Sequence, residues 1–199
     1  DNPLPSEYDV VSCTKCLFVY ADVNANQSGY DKYYKKFSKY ESLEVSSGAG
    51  NSNMDEERLQ KTVKDITNTI NNKDMHILDI GSGLGGLLKI LKAKDYKNLY
   101  ALDPSRNCID YINNNLNINA FHGNVLDDFE IIFNGKKFDY IILSHVLEHI
   151  YNLNDAIENI KTILNDNGRI YIEVPDSSRY KDFFIVPYYY FDIEHINHF

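Results

Sequence analysis

The chain has 199 residues, a formal net charge of −9, 43% hydrophobic and 25% charged residues. That composition is globular and long enough to bury a core, and no apolar run reaches the roughly 18 residues of a membrane span. An acid excess gives no phosphate-driven affinity for nucleic acid. The expected partner is therefore a small molecule, with no nucleic acid and no membrane. The N-terminus shows no basic-then-apolar leader, which sets a cytoplasmic expectation.

Three cysteines do not make a disulfide framework. Near the N-terminus, Tyr8 to Val11 and Leu17 to Tyr20 flank a Cys13-x-x-Cys16 turn, the pattern of a small hairpin. Residues 28–44 are rich in Tyr and Lys and read as a short helix. Ser46 to Asn53 reads as a linker. Two units are expected, a hairpin unit over 1–45 and a larger domain over 54–199.

From Met54 the pattern becomes periodic. Leu59, Val63, Ile66 and Ile70 predict an amphipathic helix over Met54 to Ile70. Met75 to Ile80 reads as a strand, Leu84 to Leu91 as a helix, and Leu99 to Leu102 as a strand ending at Asp103. Ser105 to Leu116 reads as a helix, Asn119 to His122 as a short strand, and Phe138 to Leu143 as a buried strand. A helix over Leu153 to Leu164 is expected to stop at Asn167-Gly168, and a strand over Arg169 to Val174 follows. This alternation implies an α/β fold, a Rossmann-like parallel sheet with helices on both faces. Ligands of such sheets sit beyond the carboxyl ends of the strands.

The loop after the first of these strands reads Asp79-Ile80-Gly81-Ser82-Gly83-Leu84-Gly85-Gly86. Gly81-x-Gly83-x-x-Gly86 matches the dinucleotide fingerprint, with Asp103 about 20 residues on. An NAD(P)-dependent oxidoreductase is one reading of that loop. Asp79 argues for another. A carboxylate there repels a pyrophosphate but attracts the α-ammonium group of S-adenosylmethionine. Asp103 suits the ribose diol of either cofactor, and with Pro104 it also fits the start of a helix.

Five blocks in order resemble the class I S-adenosylmethionine-dependent methyltransferases, over about residues 54–175. They are His76 to Gly85, Leu99 to Ser105, His122 to Val125, Phe138 to Ile150 and Asn167 to Pro175. The resemblance implies that Asp79, Gly81, Ser82 and Gly83 hold the methionine end and that Asp103 and Pro104 lie at the ribose. It also implies that Asn124 faces the adenine amino group, that Val125 offers a backbone donor, and that Ser144 and His145 cover the methionine moiety.

A narrower resemblance, to bacterial sugar methyltransferases, rests on the Cys-x-x-Cys unit and on Tyr190 to Phe199. It is nearest to the C-methyltransferases of nucleotide-linked keto-sugars, which carry a Tyr-x-Glu-His group. Glu194 and His195 match that group, and Asp192 stands at the Tyr position. The resemblance implies His195, with Glu194, as the catalytic base, and a nucleotide-linked or surface-polysaccharide sugar as acceptor. The family's second cysteine pair and large C-terminal domain have no counterpart in these residues. Zinc at Cys13 and Cys16 is thus expected only with further cysteines upstream, because structural zinc takes four ligands. The sheet is expected to be truncated at its C-terminal side. A fragment that binds cofactor without activity is the remaining alternative.

His145-x-x-Glu148-His149 also spells the inverted zinc-protease motif. That chemistry needs both histidines on one helical face, and Ile150 to Asn154 breaks any long helix. Glu148 and His149 are expected instead to bond neighbouring loops and shape a pocket wall.

Overall fold

The computed structural model describes residues 3–36, 53–182, 191 and 193–199. Residues 46–52 of the expected linker, the Tyr- and Lys-rich residues beyond 36, the aromatic run 183–190 and Asp192 lie outside the described residues, and Asn53, expected in the linker, already opens a helix.

Five parallel strands form the main sheet: β3 (His76–Ile80), β4 (Asn98–Asp103), β5 (Asn119–His122), β6 (Phe138–Ser144) and β7 (Leu164–Glu173). Their order is β5-β4-β3-β6-β7. The chain runs outward from β3 to β5, then returns across the sheet to β6. The switch point therefore lies between β3 and β6, where the loops that leave these two strands run to opposite sides.

The side-chain alternation of the strands builds two cores. Ile77, Ala101 and Ile142 face one side of the sheet, and Leu78, Tyr100 and Ile141 face the other. Helix α2 (Asn53–Thr69) and helix α3 (Gly86–Ala93) cover the first side. Leu59, Val63 and Ile66 of α2 are buried there, together with Ile70 just past its end. Each such side chain removed from water contributes about 1.5–3 kcal/mol. Helix α5 (Phe129–Phe133) and helix α6 (Leu153–Ile163) cover the second side through Phe129, Phe133, Ala156 and Ile160.

Two boundaries differ from the sequence reading. Helix α6 ends at Ile163, with Leu164 already extended at ψ 135°, and β7 starts there. Gly168 is not a left-handed helix stop. It lies inside β7, where a Cβ would stand 2.6 Å from the Leu164 side chain. Between Phe138 and Tyr140 of β6 the pairing jumps from Leu164 to Arg169, and the intervening residues of β7 bulge. The second difference concerns α4 (Arg106–Tyr111). Its N-cap is Ser105, whose Oγ accepts the Cys108 N–H, rather than Asp103. A π-turn, Ile112–Leu116, carries that helix on.

The N-terminal hairpin consists of β1 (Asp9–Ser12) and β2 (Val19–Asp22), paired antiparallel, followed by α1 (Gln27–Lys36). Strand β8 (Asn197–His198) joins this sheet from the far end of the chain, pairing Tyr20 with Asn197. The same segment is fastened to the loop after β6. The Ile196 N–H donates to the Glu148 carbonyl at 2.7 Å, and Asn197 Nδ2 donates to the Leu147 and Ile150 carbonyls at 3.0 and 2.7 Å. Residues 193–199 thus bridge the hairpin and the carboxyl edge of the main sheet. No helix among the described residues is long and apolar enough to cross a membrane.

Candidate active site

A cleft of about 800 Å³ opens over the carboxyl ends of β3, β4 and β6. Its floor is the glycine loop. Gly81 has φ +71°, and a Cβ there would meet Val146 Cγ2 at 2.6 Å, so only glycine fits. Gly85 has φ +74° and caps α3 in the left-handed region, which delays the helix to Gly86. A Cβ at Gly85 would lie 2.9 Å from Leu116, so the π-turn packs directly on the loop.

Asp79 ends β3 beneath the loop and is 2% exposed. Burial, and then the like charge of Asp103, push its carboxyl up to about 8, against a smaller opposing pull from Arg58. A buried acid held neutral in this way gains most from a cation placed against it. Arg58 reaches the same cleft from α2 and pairs with Asp55 at 2.9 Å. An acid and a guanidinium on one wall match the zwitterionic end of an amino acid. A pyrophosphate has no use for the acid.

Asp103 is buried at the tip of β4. Its Oδ2 accepts the Gly83 N–H at 2.8 Å, and its Oδ1 accepts the Ser105 N–H at 2.9 Å. Pro104, beside it, also lines the cleft. Beyond β5, Asn124 and Val125 line the opposite wall. The Asn124 amide closes a tight turn: its Oδ1 accepts the Leu126 N–H at 2.7 Å and its Nδ2 donates to Asp127 at 3.2 Å. Asp127, which the sequence reading passed over, stands in the same wall.

Ser144 and His145 follow β6. Ser144 Oγ donates to Glu173 Oε2 at 2.9 Å, an oxygen that also accepts Thr62 Oγ1 at 2.9 Å. His145 takes φ +57°, an uncommon conformation for a side-chain-bearing residue. Its Nδ1 donates to Glu148 Oε1 at 3.1 Å. Burial raises the Glu148 carboxyl, but this bond and the nearby charges of His149 and His145 outweigh it and hold the group below its usual range.

The structure separates the expected catalytic pair. His195 lines the cleft, with its ring 4.9 Å from that of His149. Glu194 is 2% exposed, is not part of the cleft wall, and accepts Tyr33 Oη from α1 at 3.1 Å. The Glu194 backbone carbonyl accepts His149 Nδ1 at 2.9 Å. Glu194 lies in a turn and His195 just beyond it, outside any regular element, so the Glu-His spacing alone did not place both in the site.

Arg58, Gln27 and Asp127 are among the cleft residues that the sequence reading missed. Arg58 comes from α2 and Gln27 from α1, and no local pattern marks them. Asp127 had a signal in its place three residues after Asn124, the spacing of a side-chain-braced turn. Cys13 and Cys16 sit in the hairpin turn as free thiols, and backbone hydrogen bonds from Cys16 and Lys15 lower the Cys13 thiol. Cys108 is fully buried, as expected of a packing residue.

A family model described as a methyltransferase domain matches residues 52–199, and the chain belongs to that family. Its cofactor is S-adenosylmethionine, so the glycine loop is not an NAD(P) loop. The zwitterion-matched wall at Asp79 and Arg58 fits this cofactor. Among curated proteins, the chain is similar to a ubiquinone biosynthesis O-methyltransferase of Coxiella burnetii, 31% identical over 115 residues, covering 55% of this chain and 47% of that protein. An uncharacterised protein of Methanocaldococcus jannaschii is 31% identical over 104 residues, covering 52% of this chain and 42% of the other. The chain thus spans about half the length of the curated relatives it matches.

Among solved structures, an S-adenosylmethionine-dependent methyltransferase from Archaeoglobus fulgidus aligns with TM-score 0.56 and 18% identity, over 71% of this chain and 61% of that one. DesVI of Streptomyces venezuelae aligns with TM-score 0.52 and 16% identity, over 78% and 61%. These likenesses concern the fold.

Proposed function

We propose that this chain transfers the methyl group of S-adenosylmethionine to an oxygen of a small polar acceptor, with a nucleotide-linked or surface-polysaccharide sugar as the first class to test. The observation that carries the reading is the polarity of the cleft. Its wall combines Asp79, Arg58 and Asp103 with the two imidazoles of His149 and His195. Bound there, the cofactor supplies a sulfonium methyl that needs only an aligned nucleophile.

The chain's own groups then have separate duties. Asp79 receives the ammonium and Arg58 the carboxylate of the methionine end. Asp103, already fixed by two backbone donors, offers its remaining lone pairs to the ribose hydroxyls. Asn124, Asp127 and the Val125 backbone meet the adenine edge. Ser144 and His145 close over the methionine moiety. His195, beside His149, is placed to accept the acceptor proton. Glu194 acts from behind, by holding His149 through its carbonyl.

A second reading has one finding in its favour. The similarity to ubiquinone biosynthesis O-methyltransferases suggests a hydroxylated aromatic ring as acceptor. The two are separated by measuring S-adenosylhomocysteine release with a panel of nucleotide sugars and of dihydroxylated benzoates. Turnover confined to the sugars supports the first reading. Turnover confined to the rings moves the acceptor to the second. Cofactor binding without turnover on either panel argues against both and favours a binding fragment.

A further inference from the structure

The loop after β6 and the C-terminal segment bring three side chains to one end of the cleft. Ligand atoms of Glu148, His149 and His195 all lie within 4.8 Å of one another, the one such trio among the described residues. Two features of this trio go beyond proximity. Glu148 is fully buried, and while its Oε1 is bonded to His145, its Oε2 is buried and has no hydrogen-bond partner. A carboxylate oxygen in that state is costly unless something positive meets it. His149 supplies the second feature. Its Nδ1 lies 2.9 Å from the Glu194 carbonyl oxygen, which can only accept. Nδ1 therefore carries a proton, and a metal would be taken by Nε2. A backbone carbonyl that fixes the tautomer in this way is the usual outer support of a metal-bound histidine.

We propose that Glu148, His149 and His195 bind one divalent transition-metal ion, with zinc as the best match. Two imidazoles and one carboxylate form a borderline-soft donor set that favours zinc over magnesium or calcium. Three protein ligands leave a coordination position open, and all three side chains line the cleft. This rests on the methyl-transfer reading for its purpose, though not for the binding itself. A hydroxyl of the acceptor that coordinates the ion loses its proton to solvent more readily. The resulting alkoxide forms the C–O bond as the methyl–sulfur bond breaks and S-adenosylhomocysteine leaves. The charges balance, with the sulfonium neutralised and one proton released. In the loaded protein His195 is then a ligand, and the ion takes over the activation that its free imidazole performs in the metal-free state.

The test is a zinc titration of the chelator-treated full chain by calorimetry, repeated with Co(II) and visible absorption. The Cys13→Ser/Cys16→Ser background removes the hairpin thiols as competitors. One ion per chain is expected in that background, with a Co(II) spectrum free of thiolate bands. Glu148→Gln and His195→Gln should each weaken binding by at least the roughly 10–100-fold that loss of an outer partner alone costs. A retained thermal shift with S-adenosylhomocysteine shows that each variant is folded. Zinc binding that disappears with the two cysteines, or that survives both cleft substitutions, overturns the site. Cofactor binding with no zinc binding overturns the metal site and leaves methyl transfer standing. Zinc binding with no S-adenosylhomocysteine shift supports the metal site and overturns methyl transfer.

Discussion

The Gly83 N–H donates to Asp103 Oδ2 at 2.8 Å, tying the glycine loop after β3 to the tip of β4. Both groups are buried, and the other Asp103 oxygen holds the Ser105 N–H that precedes α4. One carboxylate therefore sets the spacing between the glycine loop and the turn that leads into α4. Asp103→Ala leaves two buried backbone donors without an acceptor, at about 1–3 kcal/mol each. A lowered melting temperature is expected, together with loss of the stabilisation that excess S-adenosylhomocysteine gives the parent. At about 100 times its dissociation constant, that ligand adds roughly 2.7 kcal/mol. A variant that keeps the full ligand shift shows that Asp103 serves the loop alone.

Asp79 predicts a pH dependence whose sign follows from burial. Its folded carboxyl sits at about 8, far above the ordinary 3.8 of an exposed aspartate. A group raised on folding contributes stability below its unfolded value and loses it as pH rises through the folded one. Ligand-free protein should thus lose stability between about pH 4 and pH 8, and Asp79→Asn should flatten that loss. Cofactor binding runs the other way, because an ammonium demands the ionised acid. Calorimetry of S-adenosylhomocysteine binding in buffers of different ionisation enthalpy should show nearly one proton released at neutral pH, and none in Asp79→Asn. Equal heats in all buffers for the parent would remove Asp79 from the ammonium site.

Gly81 combines two constraints that can be taken apart. Its φ of +71° costs a side-chain-bearing residue about 1–2 kcal/mol. The 2.6 Å approach to Val146 Cγ2 adds a steric cost and pushes on the loop that carries His145, Glu148 and His149. Gly81→Ala should lower the melting temperature and weaken cofactor binding. Adding Val146→Ala should restore the steric part only. Full recovery in the double variant would show that the backbone conformation carries no strain.

The sequence was most informative where structure is local. The run His-Ile-Leu-Asp-Ile before Gly81, the periodic face of α2 and the buried Phe138 strand each declare their element through spacing alone, and β5 coincides with its expected bounds. Helix α5 escaped because five residues carry no usable period, although its Asp128 cap, which accepts the Glu130 and Ile131 N–H groups, was a readable signal. Gly168 misled because a glycine after an apolar helix is the usual stop, and here the strand begins first and bulges. Strand β8 was invisible: two residues acquire their structure only by pairing with β2, nearly the whole chain away. The residues expected at the cofactor come from single loops after successive strands, and all of them line the cleft. His149 and His195 meet only because the β6 loop joins the C-terminal segment, a tertiary contact that no spacing encodes.

That contact supplies the last prediction. Asn197 Nδ2 donates to both the Leu147 and Ile150 carbonyls, at 3.0 and 2.7 Å, and the residue is 6% exposed. It clamps the segment bearing His195 onto the turn bearing Glu148 and His149. Asn197→Ala removes two hydrogen bonds, each worth about 0.5–1.5 kcal/mol, and frees His195 to move. A loss of that size is compatible with a folded chain. S-Adenosylhomocysteine affinity should stay within about twofold of the parent, because the Asp79 end is untouched. Turnover with the acceptor found by the substrate panel should fall about 10–100-fold, the penalty that a misplacement of roughly 1 Å brings to an aligned transfer. If His195 acts by geometry, the fall appears in kcat more than in the KM for cofactor. Unchanged kcat in Asn197→Ala, with His195→Gln also active, would mean that the acceptor proton leaves by another route and that the C-terminal clamp is structural.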